Sequence, residues 1–209
     1  MAALLGKRTK PVEHHRALIW REVPSFVAEL RTSGGLWSTR LSLEFIVLTA
    51  TRSAETRAAR WDEINLAERI WTIPGKNAGS GRRMKTENDH VIPLSRRALE
   101  ILTEARRENP FGELVFAGLN GRVLADATLT QRLATMGYTH KATVHGFRSS
   151  FKDWCADHGI DDHLSELALA HADRDEARAA YRRTNLLDPR RKLMEDWSAF
   201  CCGSPAPEK

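Results

Sequence analysis

Apolar residues recur at helical spacing through most of the chain. In TRLSLEFIVLTA, Leu41, Phe45 and Leu48 fall at i, i+4 and i+7, the stripe of a core-facing helix. ATLTQRLATMG places Leu129, Leu133 and Met136 in the same way, and TVHGFRSSFKDWCADHG does so with Phe147, Phe151 and Trp154 before a stop at Gly159. Further helices are predicted in PSFVAELRTSGG, ended by Gly34 and Gly35, and in SAETRAARW, which Ser53 can cap. RRALEILTEARREN follows a cap at Ser95 and runs to Pro110, and HLSELALAH ends near His171. Asp173 and Glu176 resemble a capping box for the next helix, and Asp188 and Pro189 open a last one carrying Leu193, Trp197 and Phe200. RIWTIPG and DHVIPLS are rich in β-branched and aromatic residues, which predicts two strands joined by the basic loop KNAGSGRRMKTEN. A strand-like ELVFAG leads to an Asn120-Gly121 turn. The fold class is mainly α with a small antiparallel β-sheet (α+β).

Composition narrows the partners. A chain of 209 residues, 42% hydrophobic and 28% charged, is sized for one globular domain that folds without staples. Lys and Arg number 32 against 27 Asp and Glu, and the resulting +5 admits a polyanionic partner without establishing one. Cys155, Cys201 and Cys202 are odd in number and two are adjacent, a poor disulfide framework that fits a reducing cytoplasm. The first ten residues lack the order of a signal peptide and EFIVLTA is too short to span a bilayer, so a cytoplasmic protein without a membrane partner is expected. The eight histidines show no metal-ligand spacing, so neither a metal nor another cofactor is expected.

What remains is cationic and phenolic. Arg52 precedes a predicted helix, at an N-terminus that favours an anion. His145 and Arg148 lie three apart at the start of another, so both can project to one side. Tyr181 is one of two tyrosines, set among small residues and flanked by Arg182 and Arg183; Arg190, Arg191 and Lys192 come soon after, and the hairpin loop adds Lys76, Arg82, Arg83 and Lys85. Such a set suits a phosphodiester, whose negative charge repels nucleophiles. Without a metal, guanidinium groups must stabilise the transition state and side chains must move the protons. A tyrosine with a pKa of about 10 is almost wholly protonated at neutral pH and needs an acceptor, for which His145 is the candidate. Tyr138, the other tyrosine, has no second basic cluster behind it.

LTATRSAETRAARWDEI, MKTENDHVIPLS, VHGFRSSF, LAHAD and AAYRRTNLL stand in the order and approximate spacing of the catalytic domain of tyrosine recombinases. The chain resembles that family from about residue 13 to 202, and most resembles integrases of temperate phages and genomic islands. The resemblance implies a catalytic set of Arg52, Lys85, His145, Arg148, His171 and Tyr181 acting on double-stranded DNA. Tyr181 would attack the phosphate to give a 3′-phosphotyrosyl link, Lys85 would protonate the departing 5′-oxygen with Lys76 as competitor, and His171 would donate to the phosphate. Glu55 would orient Arg52. Self-association on DNA, a tetramer in the full synaptic complex, is implied as well. The expected organisation is an arm or linker with a first helix over 1–35, the catalytic domain over 36–202 and a disordered tail over 203–209. The DNA-binding segments that usually precede this domain have no counterpart in 1–35, so an isolated catalytic domain with weak DNA affinity is expected. A type IB topoisomerase and a non-catalytic DNA-binding remnant of a mobile element remain as alternatives.

Overall fold

The computed structural model describes residues 16–76, 88–171 and 186–203. Among the described residues, eight α-helices and three short strands run in the order α1 (Val23–Thr32), α2 (Trp37–Thr49), α3 (Ser53–Arg57), β1 (Ile64–Asn65), β2 (Ile70–Ile73), β3 (His90–Pro93), α4 (Arg96–Glu108), α5 (Asp126–Thr135), α6 (Gly146–Asp157), α7 (Asp162–Ala168) and α8 (Leu187–Cys201). The mainly helical α+β class is as the periodicity implies.

α2 is the centre of the fold. Its apolar positions extend beyond the Leu41, Phe45, Leu48 stripe to Leu43, Ile46 and Val47, all buried, so it is covered on every side rather than on one face. α1 joins the same core through Val23, Phe26, Val27 and Leu30, so the described part of residues 16–35 packs as one body with the later helices. α8 lies against this body. Trp197 donates from Nε1 to the Val47 carbonyl at 2.8 Å and packs on Phe151 and Trp154 with ring centroids 5.5 and 5.3 Å away. The last helix therefore docks on its own chain, with Phe200 stacked on Trp197 at the edge of the cluster.

β2 and β3 pair antiparallel, Trp71 facing Ile92 and Ile73 facing His90, and β1 adds a third strand that periodicity did not single out because it is two residues long. Ser95 caps α4 by accepting from the Ala98 N–H. Two local expectations need correction. ELVFAG forms no strand: Leu114 and Ala117 make single bridges to Arg60 and Val123, and Val115 and Phe116 point into the core, Phe116 against Phe45. Its apolar run answers to burial and not to a ladder. Ser53 is the first residue of α3 and Arg52 holds the cap position instead, in extended backbone. The Asn120-Gly121 turn is present, with both residues at positive φ.

Glu44 is the unexpected member of the core. It is fully buried on α2, and its carboxylate accepts from Arg31 at 2.7 and 2.9 Å and from Arg97 at 2.8 and 3.2 Å, tying α2 to α1 and α4. Burial opposes its ionisation, yet the hydrogen bonds from Arg97 and Arg31 hold it below the ordinary carboxylate range.

Candidate active site

The C-terminal end of α7 gathers three of the candidate side chains. After Ala168 the helix runs out through Leu169 and into Ala170, whose φ of 50° lies in the left-handed region. Three successive carbonyls are left without helical partners there, as at any helix end. Each is taken by a different element. The His90 ring at the start of β3 donates to Ala168 O, Arg148 Nη2 from α6 donates to Leu169 O at 2.7 Å, and Arg52 Nη2 at the head of α3 donates to Ala170 O at 3.3 Å. Residues 52, 90 and 148, far apart in sequence, meet at one helix terminus.

Arg148 is held a second time. Its Nη1 donates to Ala50 O at 2.6 Å, the carbonyl of another left-handed alanine that closes α2. Two helix C-termini, each carrying partial negative charge, thus face a guanidinium that is only 4% exposed. An alanine in this conformation costs on the order of 1 kcal/mol, and both do so at the arginine pair. Burial, and then the charge of Arg52, pushes Arg148 down to about 10, so it stays cationic at neutral pH. Arg52 is fixed by Glu55, which accepts its backbone N–H at Oε2 and its Nη1 at Oε1, both at 2.8 Å. Buried Thr51 bonds to Thr49 and Thr56 and stiffens the turn that carries Arg52.

His171 directly follows the carbonyl cluster. Its Nε2 is 3.0 Å from Arg148 Nη2 and its Nδ1 is 2.6 Å from Glu166 Oε2. His145 is exposed at the N-cap of α6, one turn before Arg148. Gly146 is there for space. A Cβ on it would meet Arg16 O at 2.0 Å, because residues 16–18 cross the helix start and bond to Thr143 and Ser150.

Four of the six sequence candidates, Arg52, His145, Arg148 and His171, are therefore placed, and three of them share one hydrogen-bonded cluster. Lys85 and Tyr181 lie outside the described residues, as does the predicted helix after Asp173; Lys76 is exposed at the hairpin base. Tyr138 is a poor nucleophile. Partial burial and then the carboxylate of Glu29, which accepts its hydroxyl at 2.9 Å, push the phenol up to about 12.

Two residues were overlooked in the sequence. Arg190, grouped there with phosphate-neutralising cations, is 3% exposed and donates to Val91 O at 2.8 Å, so it braces β3 instead. Its place in the buried stripe with Leu193 and Trp197 was the signal. His90, one of the eight histidines and not singled out there, is buried beside the arginines. Burial, then Arg190, with Arg148 and Arg52 adding, lowers it to about 3 and keeps the ring neutral. Its alternation with inward-facing Ile92 marked the face.

A cationic pair with a histidine at its edge can hold one phosphate group through several donors, with Glu55 and the helix-end carbonyls fixing the geometry in advance. The family model described as the phage integrase family matches residues 17–186. The integrase of Enterobacteria phage P4 is 34% identical over 204 residues, covering 92% of this chain and 46% of that protein. Prophage integrase IntA of Escherichia coli (strain K12) is 33% identical over 179 residues, covering 85% and 42%. The chain thus spans less than half the length of either relative. Among solved structures, the XerH site-specific recombinase bound to difH substrate superposes with a TM-score of 0.62 at 20% identity, covering 83% of this chain and 52% of that one.

Proposed function

Because the chain belongs to the phage integrase family, we propose that it cleaves and rejoins double-stranded DNA at specific sites through a 3′-phosphotyrosyl intermediate. The reaction serves integration and excision of a prophage or genomic island. Arg52 and Arg148 hold the non-bridging oxygens of the scissile phosphate and stabilise the added charge of the transition state, an effect typically worth roughly a hundred- to a thousandfold in rate. His171 donates to the same phosphate. Tyr181 attacks phosphorus as His145 takes its proton, and Lys85 delivers a proton to the departing 5′-oxygen. Reversal of these steps by a new 5′-hydroxyl reseals the strand. One phosphodiester is exchanged for another, so the reaction needs no cofactor. Exchange between two duplexes requires self-association on DNA, as a tetramer in the complete synaptic complex.

The convergence of Arg52, Arg148 and His171 on the end of α7 carries this reading. In the sequence, Tyr181 stands ten residues after His171 and five before Leu186. The test is a pool of nicked duplexes with randomised sequence around the nick, on which a cleaved strand end diffuses away and the protein stays attached. The expected result is a detergent-resistant adduct that Tyr181→Phe abolishes while DNA binding persists. A chain that binds DNA without ever forming the adduct is a remnant and not a recombinase.

A further inference from the structure

Glu166 has no part in the chemistry above, yet it sits between two of the site's helices. Its Oε2 lies 2.6 Å from His171 Nδ1 and its Oε1 lies 2.5 Å from Lys152 Nζ, while Lys152 also reaches Asp162 at 2.8 Å and Ser165 Oγ at 2.7 Å. Burial disfavours the Glu166 carboxylate, but Lys152 and His171 together hold it below the ordinary range, so it is ionised at neutral pH.

The hydrogen-bond logic then constrains His171. A nitrogen facing a carboxylate must carry hydrogen, so Nδ1 is the protonated nitrogen. Nε2 faces Arg148 Nη2, and a guanidinium only donates. In this arrangement Nε2 is therefore an acceptor. A phosphate oxygen at Arg148 offers only lone pairs, and Nε2 can hold it only after taking a proton from solvent. That added cation has to form among like charges: Arg148 and Lys152 on α6 and Arg52 at the head of α3 oppose it. His90 on β3 is neutral, Glu55 on α3 is committed to Arg52, and Asp162 on α7 is committed to Lys152. Glu166 is the carboxylate in contact with the ring.

We propose that Glu166 is a positioning residue that fixes the tautomer of His171 and lets its ring take up a proton as the DNA phosphate arrives, turning Nε2 from acceptor to donor. This rests on the functional reading above, in which His171 serves the phosphate. Lys152 opposes the switch by competing for the same carboxylate.

The decisive experiment follows the His171 ring by NMR against pH in the full chain, with Glu166→Gln and Lys152→Met, alongside the pH profile of adduct formation on the nicked-duplex pool. Glutamine keeps an acceptor for Nδ1 and removes the charge. Glu166→Gln is expected to lower the pH at which the ring titrates by about one unit, the size expected from losing an adjacent opposite charge. Lys152→Met is expected to raise it. Adduct formation in Glu166→Gln should then fall about tenfold at pH 8 and recover at lower pH. A merely structural Glu166 would give the same direction of change in both variants, or no change in ring titration, and either result overturns the proposal. If the unsubstituted chain forms no adduct, the functional reading fails separately, and the ring titration still decides the role of Glu166.

Discussion

Replacing Gly146 with alanine sets a backbone clash against a gain in helix propensity, and the structure says which wins. The new Cβ would lie 2.0 Å from Arg16 O, 2.9 Å from Arg16 C and 3.0 Å from Ala17 Cα, all backbone atoms, so no side chain can rotate out of the way. Residues 16–18 must retreat by about 1 Å or more. That retreat breaks the Thr143 N–H bond to Arg16 O, now 3.0 Å, and strains the bond from Ser150 Oγ to Leu18 O. Two hydrogen bonds cost about 1 kcal/mol each, and partial exposure of Leu18, now 2% exposed, adds about 1 kcal/mol more. Against this, alanine for glycine in a helix returns at most about 1 kcal/mol. The net is a loss of about 2 kcal/mol, or roughly 4–8 °C in Tm for a domain of this size. Urea unfolding and thermal melts of Gly146→Ala measure it directly. A variant that melts at or above the unsubstituted chain would refute the claim that residues 16–18 are clamped over the start of α6.

The same contacts set other outcomes. Glu44→Gln should destabilise by about 3 kcal/mol at pH 7, since it leaves two guanidiniums without their carboxylate. Because the Glu44 carboxyl is held below its unfolded value of about 4.3, its contribution is present above that pH and lost as pH falls through the lower folded value; the deficit of Glu44→Gln in urea melts should therefore shrink as pH is taken below that unfolded value. Tyr138→Phe should leave adduct yield unchanged, and a loss of adduct there would move the nucleophile from Tyr181. Arg148→Lys keeps a charge but cannot bridge Ala50 O and Leu169 O while facing a phosphate, so single-turnover cleavage should fall by roughly a hundredfold or more.

Much of this molecule is legible from spacing because long helices advertise their buried face. Leu129 and Leu133, Phe147, Phe151 and Trp154, and Leu193 and Trp197 all point where periodicity put them. β1 was missed because two residues carry no period, and ELVFAG was misread because a short apolar run looks alike whether it pairs or simply packs. Charged residues misled for a different reason. Glu44, Arg190 and His90 are polar letters at inward positions, and their partners, Arg31 with Arg97, Val91 O and Ala168 O, are not their neighbours in sequence. At the site, residue types and family likeness indicated Arg52, Arg148 and His171. The hub that joins them did not show, because backbone carbonyls at a helix end have no sequence signature.

The central claim is that Arg52, Arg148 and His171 together grip one phosphate. A structure of Tyr181→Phe bound to a nicked duplex recovered from the randomised pool tests it most directly. The account predicts a phosphate within hydrogen-bond distance of both guanidiniums and of His171 Nε2, facing the ring at position 181. A duplex whose backbone passes the end of α7 without placing any phosphate between Arg52 and Arg148 would contradict it.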